Sequence, residues 1–210
     1  MECIVCKSES IKFYKLIEEK KYWNCNICSV KFLDKSHYLD PISEKDRYLE
    51  HNNEIKDKSY RNFLSRLLEP LKKKLSSNAY GLEFGCGHGP ALADMLRLEG
   101  HKVELYDPFF FPNYNALKKK YNFITCTETA EHFFDPYKEF NLLDQLMLKN
   151  SWLGVMTCFF TEDILFDNWH YRKDPTHVVF YNEKTFKIIA EQRNWTYEIP
   201  SKDIVLIHKK

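Results

Sequence analysis

The chain has 210 residues, with 31 Lys plus Arg against 30 Asp plus Glu, so bulk charge argues neither for nor against a nucleic-acid or membrane surface as partner. The length suits one medium domain with a small appendage. No apolar run is long enough to span a membrane, and the opening Met-Glu-Cys-Ile-Val-Cys lacks the basic and apolar regions of a signal peptide. Four of the seven cysteines form two Cys-x-x-Cys pairs. Cys86, Cys126 and Cys158 fall in or just after apolar strand-like runs and read as free thiols. That usage fits a reducing compartment and a cytoplasmic location.

Residues 1–33 form the appendage. Cys3-x-x-Cys6 and Cys25-x-x-Cys28 resemble a zinc ribbon, with Tyr22, Trp23 and Phe32 on its strands. Such pairs offer four thiolates at tetrahedral geometry, which leaves no open position and makes the zinc structural. A module this small needs the metal to fold. The alternatives are a disulfide pair or free thiols. Residues 34–77 read as a helical linker or lid: Tyr60, Phe63, Leu64, Leu67, Leu68, Leu71 and Leu75 recur at three and four. Pro70 is expected to break or kink that run, as at the start of a second helix.

From residue 78 the pattern changes to strands alternating with helices. An apolar strand from Tyr80 runs into Gly85, Gly87 and Gly89, followed by Pro90 and an amphipathic run from Ala91 to Glu99. Glycines at such a turn permit positive φ and close backbone approach, and the helix start supplies free N–H groups. The dinucleotide fingerprint wants its third glycine where Pro90 stands. The pattern Glu83-x-Gly85-x-Gly87-x-Gly89 instead resembles motif I of the class I S-adenosylmethionine (SAM) methyltransferases. That resemblance covers most of residues 78–210 and implies SAM as cofactor, with Glu83, Gly85 and Gly87 beside it. Helices before motif I often cover the cofactor in that family, so Arg47 or His51 is placed to reach the methionine carboxylate; a solvated helix face is the plainer alternative.

The second core strand, Lys102 to Tyr106, closes on Asp107, where an acidic residue about twenty positions after the glycine turn binds ribose hydroxyls. Pro108 and Phe109 follow and are suited to wall the adenine. The next strand, Tyr121 to Cys126, comes too soon for a helix–strand–helix between, so the edge strand usually called the third is expected to be lost or rudimentary. Thr127 follows it and completes the expected cofactor set.

Glu128, Glu131 and His132 come next, on one face if the segment is a helical turn. Two carboxylates and an imidazole suit a divalent ion. The run resembles the Glu-x-x-Glu-His segment of the ubiquinone-biosynthesis O-methyltransferases, and Thr176-His177 matches a Thr-His after their fifth strand. The same segment in the small-RNA 3′-terminal 2′-O-methyltransferases holds a metal that grips substrate hydroxyls. The resemblance implies Glu128, Glu131, His132 and His177 around Mg²⁺ or another divalent ion. The alternative is that these residues cap a helix and pack the site.

A helix from Asp135 to Lys149, a strand from Ser151 to Phe160, a helix from Glu183 to Arg193 and a closing pair, Trp195 to Ile199 and Ile204 to His208, complete an α/β, doubly wound, mostly parallel sheet. The expected function is O-methylation of a small-molecule hydroxyl, with His132, His177 or His170 as catalytic base and the aromatic stretch 160–181 as acceptor wall. An RNA methyltransferase using the ribbon and the lysines at 72–74 and 118–120 is the second reading. A non-catalytic binding scaffold is the third.

Overall fold

The computed structural model describes residues 1–50, 53–161 and 165–210. Asp40 and Asp57 start the first two helices by accepting backbone N–H groups of their first turns. The resulting elements are α1 (Pro41–Leu49) and α2 (Lys58–Lys72). The expected position of Pro70 is corrected: it lies inside α2, which ends two residues beyond it at Lys72. A proline there removes a single hydrogen bond in the last turn, while Leu64, Leu67, Leu68 and Leu71 stay buried.

The main sheet has six strands: β4 (Tyr80–Phe84), β5 (Lys102–Tyr106), β6 (Tyr121–Thr127), β7 (Met147–Met156), β9 (Trp195–Ser201) and β10 (Ile204–Lys209). Their order is β5-β4-β6-β7-β10-β9. β5, β4, β6 and β7 are parallel, whereas β10 runs antiparallel to both β7 and β9. Helices α3 (Ala91–Leu98), α4 (Pro136–Leu146) and α6 (Glu183–Glu191) make the crossovers. Among the described residues no strand lies outside β5. The link to β6 holds only an Asp107–Phe111 bridge and a 3-10 turn at Ala116–Lys118, so the edge strand is lost as expected. β7 begins at Met147, four residues before the expected Ser151, and α4 is correspondingly shorter. The strand ends early, at Met156, because the chain turns aside there and Phe160 donates its N–H to Tyr181.

The N-terminal strands β1 (Ile11–Ile17), β2 (Lys20–Cys25) and β3 (Lys31–Leu33) form an antiparallel sheet. Its fourth strand comes from far along the chain. β8 (Val179–Phe180), which no periodicity announces, pairs with β3 through Lys31–Phe180 and Phe32–Val179. Both cysteine knuckles are also tied down. Thr185 donates its hydroxyl to the Cys28 carbonyl (2.9 Å), Gln192 bonds the Cys6 carbonyl (2.9 Å), and Tyr137 gives its N–H to the Ile4 carbonyl (3.1 Å). One apolar core runs continuously from this sheet into the side of the main sheet that faces α4 and α6. A second packs α2 and α3 on the other side. Two helical layers around a mostly parallel sheet put the strand ends β4, β5 and β6 on one rim.

Candidate active site

That rim opens into a cavity of about 890 Å³ lined by Gly85, Gly87, Asp107, Thr127, Glu128, Glu131, His132, His170 and His177, with a cover from α1. At the glycine-turn end, Gly85 and Gly87 have φ of +74° and +60°. An added Cβ on Gly85 would meet Thr129 Cγ2 at 2.1 Å, so the turn is closed on that side. Gly87 has open space instead, which leaves its backbone accessible to a ligand. Asp107 accepts the Gly87 N–H (3.0 Å) through Oδ2, and the N–H groups of Phe109 and Phe110 through Oδ1. The strand end and the glycine turn are thereby fixed relative to each other. Pro108 and Phe109 line the cavity beside them.

Glu83 stands behind this turn rather than on the cavity wall. It is buried and accepts the Ala93 N–H (2.8 Å), holding the start of α3. Burial raises its pKa to about 8, against the opposing pull of that hydrogen bond and of Arg97. In the unfolded chain a glutamate titrates near 4.3 (about). The native state therefore keeps a proton that the unfolded state has lost, and this group's contribution to stability falls as pH rises from about 4.5 to about 8. Glu83→Gln is expected to remove that slope: melting curves of the two proteins should lie together near pH 5 and separate by pH 8, with the variant higher. Parallel curves across that range would refute the burial argument.

At the other end of the cavity, Glu128 follows β6 with a positive φ of 47°, and Ala130–His132 forms a 3-10 turn. The ligating atoms of Glu131, His132 and His177 lie within 4.8 Å of one another. Glu128 lines the same cavity but lies outside that cluster, because its left-handed backbone sets it before the turn that carries the other two. Glu131 is fully buried; Oε1 accepts the Tyr171 hydroxyl, and Oε2 has no hydrogen-bond partner among the described residues. A carbonyl oxygen can only accept, so His132 Nδ1 donates to Thr176 (3.0 Å) and His177 Nδ1 donates to Tyr171 (2.7 Å). With Nδ1 donating, it is Nε2 of each ring that can offer a lone pair. Burial, and next the adjacent His132, lower the pKa of His177 to about 4. Burial, and next Glu131, raise that of Glu128 well above the usual carboxylate range.

Several expectations change. Arg47 does not turn toward the glycine loop: it donates Nε (3.1 Å) and Nη2 (2.7 Å) to Asp174, and it pairs with Glu50. His51 lies outside the described residues. Of the large aromatics of 160–181, Tyr171 lines the cavity, whereas Phe160, Phe166 and Trp169 pack into the core against β3 and β8. Their places are taken by Tyr48 of α1, Phe133 and Phe134. His170 is exposed at the rim of the same cavity. Thr129 and Asn53 were illegible in sequence, and Tyr171 was legible only as a member of the aromatic stretch; Asn53 places its carbonyl where a Cβ on Gly89 would sit, 1.6 Å away.

The N-terminal cysteines are brought together as expected. Cys3, Cys6, Cys25 and Cys28 are buried with their sulfurs within 4.8 Å of one another, Cys3–Cys28 at 3.7 Å and Cys6–Cys25 at 3.5 Å. These distances are far beyond a disulfide bond of about 2.05 Å. They lie near the ~3.8 Å edge of a tetrahedron whose ligand bonds are about 2.3 Å, the zinc–thiolate value.

A mostly parallel sheet with a missing third strand, an antiparallel closing pair and a cavity at its strand ends define an open, doubly wound α/β fold with its candidate ligand site at the strand ends. The Methyltransf_23 family, described as a methyltransferase domain, matches residues 52–198, well over half of the sequence, and the chain belongs to that family. Among solved structures it is similar to a SAM-dependent methyltransferase from Archaeoglobus fulgidus, at 20% identity and a TM-score of 0.54, over 71% of this chain and 94% of the other. A SAM-dependent methyltransferase from Aquifex aeolicus gives 17% identity and a TM-score of 0.52 over 81% and 97%. An O-methyltransferase family protein from Burkholderia thailandensis gives 12% identity and a TM-score of 0.49 over 80% of this chain and 62% of the other. No curated protein sequence matches the chain. At these identities the likeness to the Archaeoglobus and Aquifex structures establishes the fold, and the family match establishes the methyltransferase class.

Proposed function

We propose that the protein methylates a hydroxyl of a small-molecule acceptor, with SAM held at the glycine turn and the acceptor held by a divalent ion on Glu131, His132 and His177. The observation that carries this reading is the buried, unpartnered Oε2 of Glu131 beside two imidazoles whose Nδ1 atoms are already engaged, all in the cavity of the glycine turn. When bound, SAM supplies an electrophilic methyl group, and the ion lowers the pKa of an acceptor hydroxyl and orients it. Two imidazoles with one carboxylate suit Mn²⁺, Fe²⁺, Co²⁺ or Zn²⁺ better than Mg²⁺. Asp107 and the open backbone of Gly87 hold the cofactor, with Pro108 and Thr127 beside it. Imidazoles used as ligands through Nε2, with Nδ1 donating, have no free base, so proton removal passes to His170 at the rim. Tyr48, Phe133 and Phe134 suit a planar acceptor bearing adjacent oxygens. A structural zinc on Cys3, Cys6, Cys25 and Cys28, thiols kept reduced in a cytoplasmic setting, and a three-part division at residues 33 and 77 complete the proposal.

The RNA reading is weakened by the lysines it would need. Lys72 pairs with Glu69 and Glu99, Lys74 with Glu198, and Lys119 with Glu104. S-adenosylhomocysteine is expected to bind the zinc-loaded protein with micromolar affinity by calorimetry, and labelled SAM to methylate catechol-type acceptors only with a divalent ion present. No binding at high micromolar concentration would overturn the enzyme reading. Transfer that is indifferent to chelator would overturn the metal part alone.

A further inference from the structure

We propose that Tyr171 is a positioning residue for the ligand triad, and that its hydroxyl commits Glu131 to ligate through Oε2 alone. This rests on the reading of Glu131, His132 and His177 as a metal site. Tyr171 lies in α5 (His170–Lys173) and is buried. Its hydroxyl hydrogen-bonds Glu131 Oε1, the Cys158 N–H (3.2 Å) and Thr157 Oγ1 (2.8 Å), and it also faces the Glu128 carboxyl group. A phenol has one proton and can accept two hydrogen bonds. The carboxylate takes the proton and Cys158 gives one, so Thr157 must be the second donor. The phenol is then saturated, and its orientation is set by the residues just past the end of β7.

The consequence for Glu131 is directional. Oε1 is occupied by a charge-assisted hydrogen bond, and Oε2 is left buried without a partner among the described residues. Tyr171 acts on a second ligand through different atoms. Its main-chain carbonyl accepts His177 Nδ1 (2.7 Å), which selects the tautomer with a free Nε2, and its ring lies 4.2 Å from the His177 ring between centroids. One side chain therefore assigns the ligating oxygen of Glu131, and one backbone group assigns the ligating nitrogen of His177. Outer groups that orient ligands in this way govern metal affinity nearly as strongly as the ligands themselves.

Tyr171→Phe separates the two roles, because it removes the hydroxyl and keeps the ring and the carbonyl. The test is Mn²⁺ titration of the full zinc-loaded chain, read by the electron paramagnetic resonance of free Mn²⁺, with S-adenosylhomocysteine affinity measured alongside. Tyr171→Phe is expected to weaken Mn²⁺ binding about 10- to 100-fold and to leave S-adenosylhomocysteine affinity unchanged, an unchanged value that general loss of structure would not give. Thr157→Val, which keeps the Tyr171–Glu131 bond but removes its lock, is expected to give a smaller loss of the same sign. It serves as the reading if Tyr171→Phe fails to fold. Wild-type Mn²⁺ affinity in a folded Tyr171→Phe protein, or in Thr157→Val when the first is unfolded, overturns the positioning role while leaving the metal site standing. Failure of the wild-type protein itself to bind Mn²⁺ overturns the triad as a metal site, and the positioning role with it.

Discussion

Glu131→Gln is expected to lose the triad's metal ion, retain the zinc on the cysteine cluster, and drop methyl transfer below about one hundredth of wild type, as loss of a metal-activated nucleophile implies. The substitution keeps the volume and an oxygen for the Tyr171 hydroxyl, so the buried site stays filled. It removes the negative charge proposed to balance a divalent ion, at a carboxylate that is fully buried. Elemental analysis of the purified variant, together with labelled-SAM turnover, decides the matter. A variant that keeps both its metal content and its rate would exclude Glu131 as a ligand. Loss of rate with metal content unchanged would move its role to orientation of the acceptor.

The second large effect is expected at the other end of the chain. Cys25→Ser should abolish zinc binding and unfold far more than the first 33 residues. Zinc in such four-ligand sites contributes on the order of 10–16 kcal/mol of folding free energy in isolated modules, comparable to the roughly 5–15 kcal/mol that holds a whole domain. Here the cluster does not stand apart. β3 is paired with β8, directly after His177, and Val178 donates its N–H to the Glu131 carbonyl (2.9 Å). Arg172, buried beside Tyr171, reaches the Tyr22 hydroxyl of β2 (3.2 Å). Loss of the cysteine-held ion should therefore lower the melting temperature by well over 10 °C, since about 1 kcal/mol moves a domain of this size by a few degrees. It should also weaken Mn²⁺ binding at a triad whose own ligands are untouched. Zinc content, thermal unfolding and Mn²⁺ titration on one preparation test all three. A zinc-free variant that melts like wild type would reduce the cluster to an ornament of the N-terminus.

The parts legible in the sequence are those governed by short-range rules. The glycines of the turn announced themselves because Gly85 and Gly87 must adopt positive φ. Asp107 was found by its distance from that turn, and it meets the Gly87 N–H. The absence of a third edge strand followed from the few residues between Asp107 and Tyr121. The paired cysteines converge because each Cys-x-x-Cys is already half a site. Glu131 and His132 were legible for the same reason, being adjacent on one turn, and His177 through its matched Thr-His pair.

What the sequence by itself determined is therefore the strand order's ingredients, the glycine turn and the identity of many of the groups that line the cavity. Tertiary structure alone decided which of those groups face each other. It moved Glu83 behind the turn and Arg47 onto Asp174, and it packed Phe160, Phe166 and Trp169, which sequence had placed at the acceptor wall, into the core. It drew in Tyr171, forty residues from Glu131, to hold the carboxylate. It also built β8 into the N-terminal sheet, joining the cysteine cluster to the triad. The physical reason is the same throughout: backbone conformation and chelating pairs are encoded within a few residues, whereas the partner of a buried polar atom is whatever the packed core brings within 3 Å (about) of it.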